Sequence, residues 1–256
     1  MPKATLSLYR KSRGGDYEDK SLDFNGMMAP RDSIAALLSS CGITSEDTIF
    51  LYDYKSGCDA ARFWWILNVY GHKSTHFLNG SYKDLHKVVG AQPVIEPTEY
   101  SFPSAIDPRL YADLEYVLKA TKKGAKLLDV RTLEEFEGSM LKDGAFKSGR
   151  IQNALFYRWT NAIKSNGDQR LRPKTVLNKQ FANLGLRRDD EIIVYCHSGA
   201  RSARTTFVLT EILGYTNVKN YEGSWIEYSF TKYLPTVTGE QTTKYGTIDQ
   251  NEPYTV

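Results

Sequence analysis

The stretch IIVYCHSGARSARTTFVL (Ile192–Leu209) runs a string of strand-forming residues directly into a cysteine, then into a glycine and two arginines at the head of a helical pattern. Cys196 is placed to be a nucleophile. A parallel strand of an open α/β sheet offers ligands a crevice at its carboxyl end. The loop His197, Ser198, Gly199, Ala200 is small and flexible, so successive backbone N–H groups can converge on one concavity and bind an anion. The following helix adds partial positive charge at its N-terminus, and Arg201 and Arg204 add full charges. Together these predict a thiolate, with a pKa lowered from about 8.5 to between roughly 3.5 and 7.5. The reading requires that the sulfur be reachable from solvent.

Two chemistries use such a cradle. Cysteine-dependent phosphatases and arsenate reductases need five residues between the cysteine and the arginine, enough to surround a phosphoryl group. Cys196 and Arg201 enclose four. The tighter ring suits one added sulfur atom, a persulfide, and disfavours the phosphatase reading. The other cysteines are assigned no chemistry. Cys41 aligns with Leu184 and is read as a small hydrophobe; Cys58 is expected in a loop.

The elements that position Cys196 occur twice. CGITSEDTIFLYD (Cys41–Asp53) aligns without gaps on LGLRRDDEIIVYC (Leu184–Cys196), with Asp53 at the cysteine position. Further on, Arg62 faces Arg204, Gly71 faces Gly214 and Gly80-Ser81 faces Gly223-Ser224. Each copy starts with an amphipathic helix, on Ile34, Leu37, Leu38 and Cys41 or on Leu177, Phe181 and Leu184, ended by Gly42 or Gly185. A continuous apolar strand, TIFLY or EIIVY, implies burial on both faces. A helix and a second strand, THFLNG or NVKNYEG, complete the unit. Upstream of the second copy, Leu110, Leu114, Val117 and Leu118 predict one helical face, KLLDV a buried strand, and Thr132 with Glu135 a capping box. KATLSLYR near Met1 resembles QNALFYR (Gln152–Arg158), so the first copy is expected to begin partway through the unit and to lack its opening strand.

The fold class is therefore α/β: two domains, each a mainly parallel sheet flanked by helices. The divisions are 1–91, a proline-bearing linker 92–108, a catalytic domain 109–235 and a polar tail 236–256 that is either disordered or laid along a partner. A net charge of +3, with basic residues dispersed, argues against nucleic acid. No apolar run is long enough to span a bilayer. Three cysteines without metal-ligand or disulfide spacing argue against a zinc site and for a reducing compartment, cytoplasmic by default, or periplasmic if Met1 is not the native start.

CHSGARS, preceded by EIIVY and followed by NYEGSWIEYS, resembles the active-site loop and C-terminal signature of the rhodaneses. LLDVRTLEEFEG and SGRIQNA resemble the motifs that open each rhodanese domain, and residues 42–81 are similar to the inactive first domain of tandem sulfurtransferases. The resemblance covers Lys3 to about Tyr233. It implies that Cys196 takes sulfur from an anionic donor such as thiosulfate and passes it, as a persulfide, to cyanide, a thiol or a protein, with no cofactor. It implies that the amides of His197 to Arg201 hold the persulfide and that Arg201 binds the donor. Arg150 is a second anion contact or a surface arginine; Trp225 walls the pocket or packs under the loop. Arg131 is an ion-pair partner of Glu134, Glu135 or Glu137. His197 tunes the thiolate or is an exposed imidazole. The family's His-Ile-Pro-Gly-Ala is replaced by Arg150-Ile151-Gln152-Asn153-Ala154, which alters a turn at the pocket. Mercaptopyruvate-type enzymes carry Cys-Gly-Ser-Gly-Val-Thr in the loop and an arginine where Glu135 stands, so thiosulfate is the preferred donor. A non-catalytic sulfur-carrier or partner-binding module is the alternative, with mercaptopyruvate sulfurtransferase behind it. Asp53 leaves the first copy a scaffold, with Trp64 and Trp65 in the domain core or at the interface.

Overall fold

The computed structural model describes residues 18–19, 21–53, 57–80, 95–103, 105–164 and 169–240. The first part carries α1 (Arg31–Ser40), β1 (Ile49–Leu51), α2 (Cys58–Val69) and β2 (Thr75–Phe77). The second carries β3 (Tyr111–Ala112), α3 (Leu114–Lys122), β4 (Lys126–Asp129), α4 (Leu133–Glu137) and β5 (Leu155–Phe156). These are followed by α5 (Lys174–Asn183), β6 (Ile192–Tyr195), α6 (Ala200–Phe207), β7 (Val218–Tyr221) and α7 (Ser224–Phe230). Among the described residues these strands pair in parallel, β1 with β2 in one sheet and in the order β3-β7-β6-β4-β5 in the other, while isolated bridges such as Glu18–Met28 are antiparallel. The successions α1-β1-α2-β2 and α5-β6-α6-β7 correspond element by element.

β6 is central and buried along its whole length, as its unbroken apolar run demands. Its neighbour β4 leads to α4 and then β5 on one side, while β6 leads to α6 and then β7 on the other. The crevice between them is the switch point at which ligands of parallel sheets are held. β1 departs from expectation: Phe50 is exposed between buried Ile49 and Leu51, so this strand is covered on one face only.

The expected helical faces of α1 and α5 bury Ile34 and Leu38, and Leu177 and Phe181. Leu110 is a correction, since it precedes a strand and not a helical turn. Asp113 starts α3 by accepting the Tyr116 N–H at 2.7 Å, and Tyr111–Ala112 pairs with β7 instead. The linker is fastened: Thr98 N–H donates to Ser39 O, and the Tyr100 hydroxyl meets His72 Nδ1 at 2.8 Å. Val237, in the stretch read as tail, exchanges both backbone hydrogen bonds with Arg150. KATLSLYR, Ser81 and residues 241–256 lie outside the described residues. Among the described residues, no helix is long and apolar enough to cross a membrane.

The two parts meet where α2 packs along α6. Trp64 sets its ring edge against Phe207 at 5.0 Å, and Trp65 stacks on Tyr111 while its Nε1 donates to Leu110 O at 2.8 Å. The tryptophan pair therefore belongs to the seam between the two parts.

Candidate active site

Cys196 follows the last residue of β6. Its loop turns sharply at Gly199, which caps α6 with φ +84°, a conformation that side chains disfavour. The turn aims the Gly199 N–H at the sulfur, 3.2 Å away, and one turn of helix brings the Ser202 hydroxyl to 3.4 Å. The loop is held from below by the start of α7: Trp225 N–H donates to Cys196 O and Ile226 N–H to His197 O, both at 3.0 Å. Ser224 Oγ accepts from Cys196 N–H and donates to Tyr221 O.

Burial pushes the Cys196 thiol up, but the Arg201 charge, the Ser202 hydroxyl and the amides of Ser202 and Ser198 outweigh it, so the thiol lies below its usual value. The donors thus overlap the expected set at Ser198 and Gly199 and extend it by one residue to Ser202, whose hydroxyl the first turn of α6 brings back over the sulfur.

Arg201 and Glu135 form a bidentate pair across the switch point, at 2.7 and 2.8 Å. Glu135 closes the expected capping box with Thr132 as well. Burial raises its pKa, but the Arg201 bond and charge prevail and bring it from 4.5 down to about 2. Glu135 is therefore an anion already neutralised by the arginine expected to meet the donor.

Three expectations are corrected, and the two readings of Trp225 narrow to one. Arg204 does not serve the cysteine. It is buried over the Phe77 ring, its guanidinium lies against Gly57, and its Nη2 donates to Gln169 O at 3.0 Å. Packing of α6 on α2 turns it toward the other part of the chain. Arg150 is not a surface residue; its guanidinium donates to Phe136 O and Gly239 O above the Phe136 ring. Arg131 pairs with Asp129, two residues back, and donates to Gly149 O. Trp225 packs under the loop, with Nε1 donating to Lys147 O and its ring beneath the Arg131 guanidinium.

His197 is buried. Its Nε2–H donates to Asp143 O at 2.9 Å, and burial, reinforced by Lys142, brings its pKa down to about 4. It is neutral at physiological pH. Ser198 of the loop and Ala200, the first residue of α6, are half-buried.

The requirement that the sulfur be reachable from solvent is not met in this conformation: Cys196 is 1% exposed. A strap before α1 covers the loop. It is tied by the Glu18–Met28 bridge and by Met28 N–H to Glu222 Oε1 at 2.8 Å, and it brings Gly26 against Ser198. Phe24 of the strap packs on Phe230 at 5.3 Å.

At the corresponding place in the first part, Gly57 takes φ +70° and caps α2. Asp53 sits where the cysteine would, accepting from Gly57 N–H at 2.8 Å and Asp59 N–H at 3.1 Å. Its carboxylate fills the anion cradle. Cys58, expected in a loop, is instead the buried first residue of α2. Among the described residues, no three His, Cys, Asp or Glu side chains gather to hold a metal.

A cysteine faced by an amide and a hydroxyl at the head of a helix is a site for thiolate chemistry; the comparisons with known proteins give the family. The rhodanese-like domain family matches residues 113–230. A Corynebacterium glutamicum protein named thiosulfate sulfurtransferase is 33% identical over 82% of this chain and 73% of its own length. A Thermus thermophilus protein named sulfur carrier protein TtuD is 30% identical over 82% of this chain and 78% of its own. Among solved structures, an EanB variant in complex with ergothioneine superposes with a TM-score of 0.76 at 21% identity, over 84% of this chain and 57% of that one, a likeness of fold. The chain belongs to the rhodanese family.

Proposed function

We propose that the protein is a tandem-type sulfurtransferase that takes sulfane sulfur from thiosulfate onto Cys196 and delivers it to cyanide, a thiol or a protein acceptor. Family membership and the named relatives support sulfurtransferase activity. The observation that carries the finer reading is the Cys196 sulfur facing the Gly199 N–H and Ser202 hydroxyl beside the Arg201 charge.

In the first half-reaction the thiolate attacks the outer sulfur of thiosulfate. The donor's S–S bond breaks, and sulfite leaves with the bonding pair. The new persulfide is an anion, stabilised by the donors that held the thiolate. In the second, the acceptor attacks the outer sulfur; cyanide becomes thiocyanate, and the Cys196 thiolate is released. The two covalent half-reactions predict ping-pong kinetics. Both require the strap at Gly26 to move off Ser198.

The tandem organisation is supported by the matched succession of elements and by Asp53 in the cradle of the first unit. We place that degenerate unit within 1–91 and the catalytic one from 109, extended to about 240 by the Val237 pairing. The covered sulfur favours one further reading, a sulfur carrier whose protein partner lifts the strap, in keeping with the name of the Thermus relative. Donor profiling separates these. Turnover with thiosulfate well above that with mercaptopyruvate is the expected result. Turnover confined to mercaptopyruvate overturns the donor assignment, and slow turnover with both but rapid exchange with a partner protein favours the carrier.

A further inference from the structure

Two arginines cross the seam in opposite directions. Arg204 of α6 reaches the turn at Gly57, where a Cβ would fall 2.4 Å from its Nη1. Arg62 of α2 reaches the turn at Gly199, where a Cβ would again fall 2.4 Å from its Nη1. Each half thus lends its arginine to the cradle of the other.

We propose that Arg62, donated by the degenerate half, is a positioning residue for the Cys196 loop. Its guanidinium is buried, lies over the Trp65 ring at 4.5 Å, and donates from Nη2 to Gly26 O of the strap at 2.8 Å. The face it turns to Gly199 pins that residue against Glu222 O, which a Cβ would approach to 2.8 Å. Gly199 is fixed further by Asn220 Nδ2 and Ala203 N–H, both donating to its carbonyl. Its own N–H is left aimed at the Cys196 sulfur. Arg62 therefore decides where the sulfur's amide donor stands, and it joins that donor to the strap that covers it. A planar, forked guanidinium can do both at once; a lysine ammonium, a point charge, cannot.

The inference rests on the reading of Cys196 as the reacting thiolate, but the experiment reads ionisation directly. The full chain and its Arg62→Met, Arg62→Lys and Arg204→Met variants are alkylated with iodoacetamide across pH, and modification of the Cys196 peptide is followed by mass, alongside thermal melting. Loss of one well-aimed donor to a thiolate is expected to lower the thiolate fraction about tenfold below the midpoint, a rise of about one pH unit. Both Arg62 variants are expected to show it. Arg204→Met, an equal loss to the seam, keeps the wild-type midpoint. A wild-type midpoint in Arg62→Met overturns the proposal, and so does an equal rise in Arg204→Met. A wild-type midpoint in Arg62→Lys, with Arg62→Met shifted, also overturns it, because charge and not position is then at work. If Arg62→Met fails to fold, Arg62→Lys carries the test. A wild type that takes no sulfur from thiosulfate while the Arg62 shift persists refutes the functional reading and upholds this one.

Discussion

Replacing Glu135 with glutamine removes one charge from the reacting centre and should change stability and reactivity in opposite senses. Glu135 is held by two bonds from Arg201 with its side chain 3% exposed, and its pKa falls from 4.5 to about 2. A carboxylate with a depressed folded-state pKa contributes stability that is full above its unfolded value and is lost as pH falls through the folded one. A drop of that size corresponds to about 3 kcal/mol, in line with the roughly 3–5 kcal/mol cost of removing one partner of a buried pair. Glu135→Gln should thus be about 3 kcal/mol less stable than wild type at pH 7, with the gap closing between pH 4.5 and 2. Arg201 is at the same time left uncompensated beside the sulfur, so the Cys196 alkylation midpoint should fall and KM for thiosulfate should drop. Urea unfolding at pH 7 and near pH 3 measures the first effect; iodoacetamide titration and steady-state kinetics measure the second. Equal stability at pH 7, or an alkylation midpoint that rises, refutes the reasoning.

Ser202→Ala removes the hydroxyl donor to the sulfur and should raise the alkylation midpoint by about one unit; an unchanged midpoint leaves the amides as the sole donors. His197 has its pKa depressed from 6.5 to about 4, so burial of the neutral ring costs stability as pH falls from 6.5 toward 4. His197→Gln should flatten the unfolding free energy across that window, and a slope identical to wild type contradicts the assignment. Asp53→Cys in a Cys196→Ser background places a thiol among the amides of Gly57 and Asp59, and its peptide should be alkylated at neutral pH. An inert residue 53 would mean that the first cradle does not support a thiolate.

The parts of the molecule governed by local chemistry were legible in the sequence. The Thr132–Glu135 capping box, the inward faces of α1 and α5, the central strand β6 and the turn of Gly199 onto α6 all follow from spacing and residue type. The parts set by distant chain were not. Arg201 and Arg204 are neighbours on one helix and looked equivalent as charges for the sulfur. The packing of α2 against α6 sends Arg204 to Gly57 and supplies Arg62 in exchange. The only trace of this in the sequence was the alignment of Arg62 with Arg204. The strap that hides Cys196 comes from more than a hundred residues upstream in the chain, and no local pattern around Gly26 marks its destination. Sequence spacing points Arg131 to the glutamates of α4, but the strand end offers it Asp129 in bidentate geometry with no further ordering of the chain.

The measurement that bears most directly on the account is intact and peptide mass analysis of the full chain after incubation with thiosulfate. The account predicts a gain of one sulfur atom on the Cys196 peptide, discharged by cyanide with release of thiocyanate and absent from Cys196→Ser. No gain, or a gain carried by Cys41 or Cys58 instead, contradicts it.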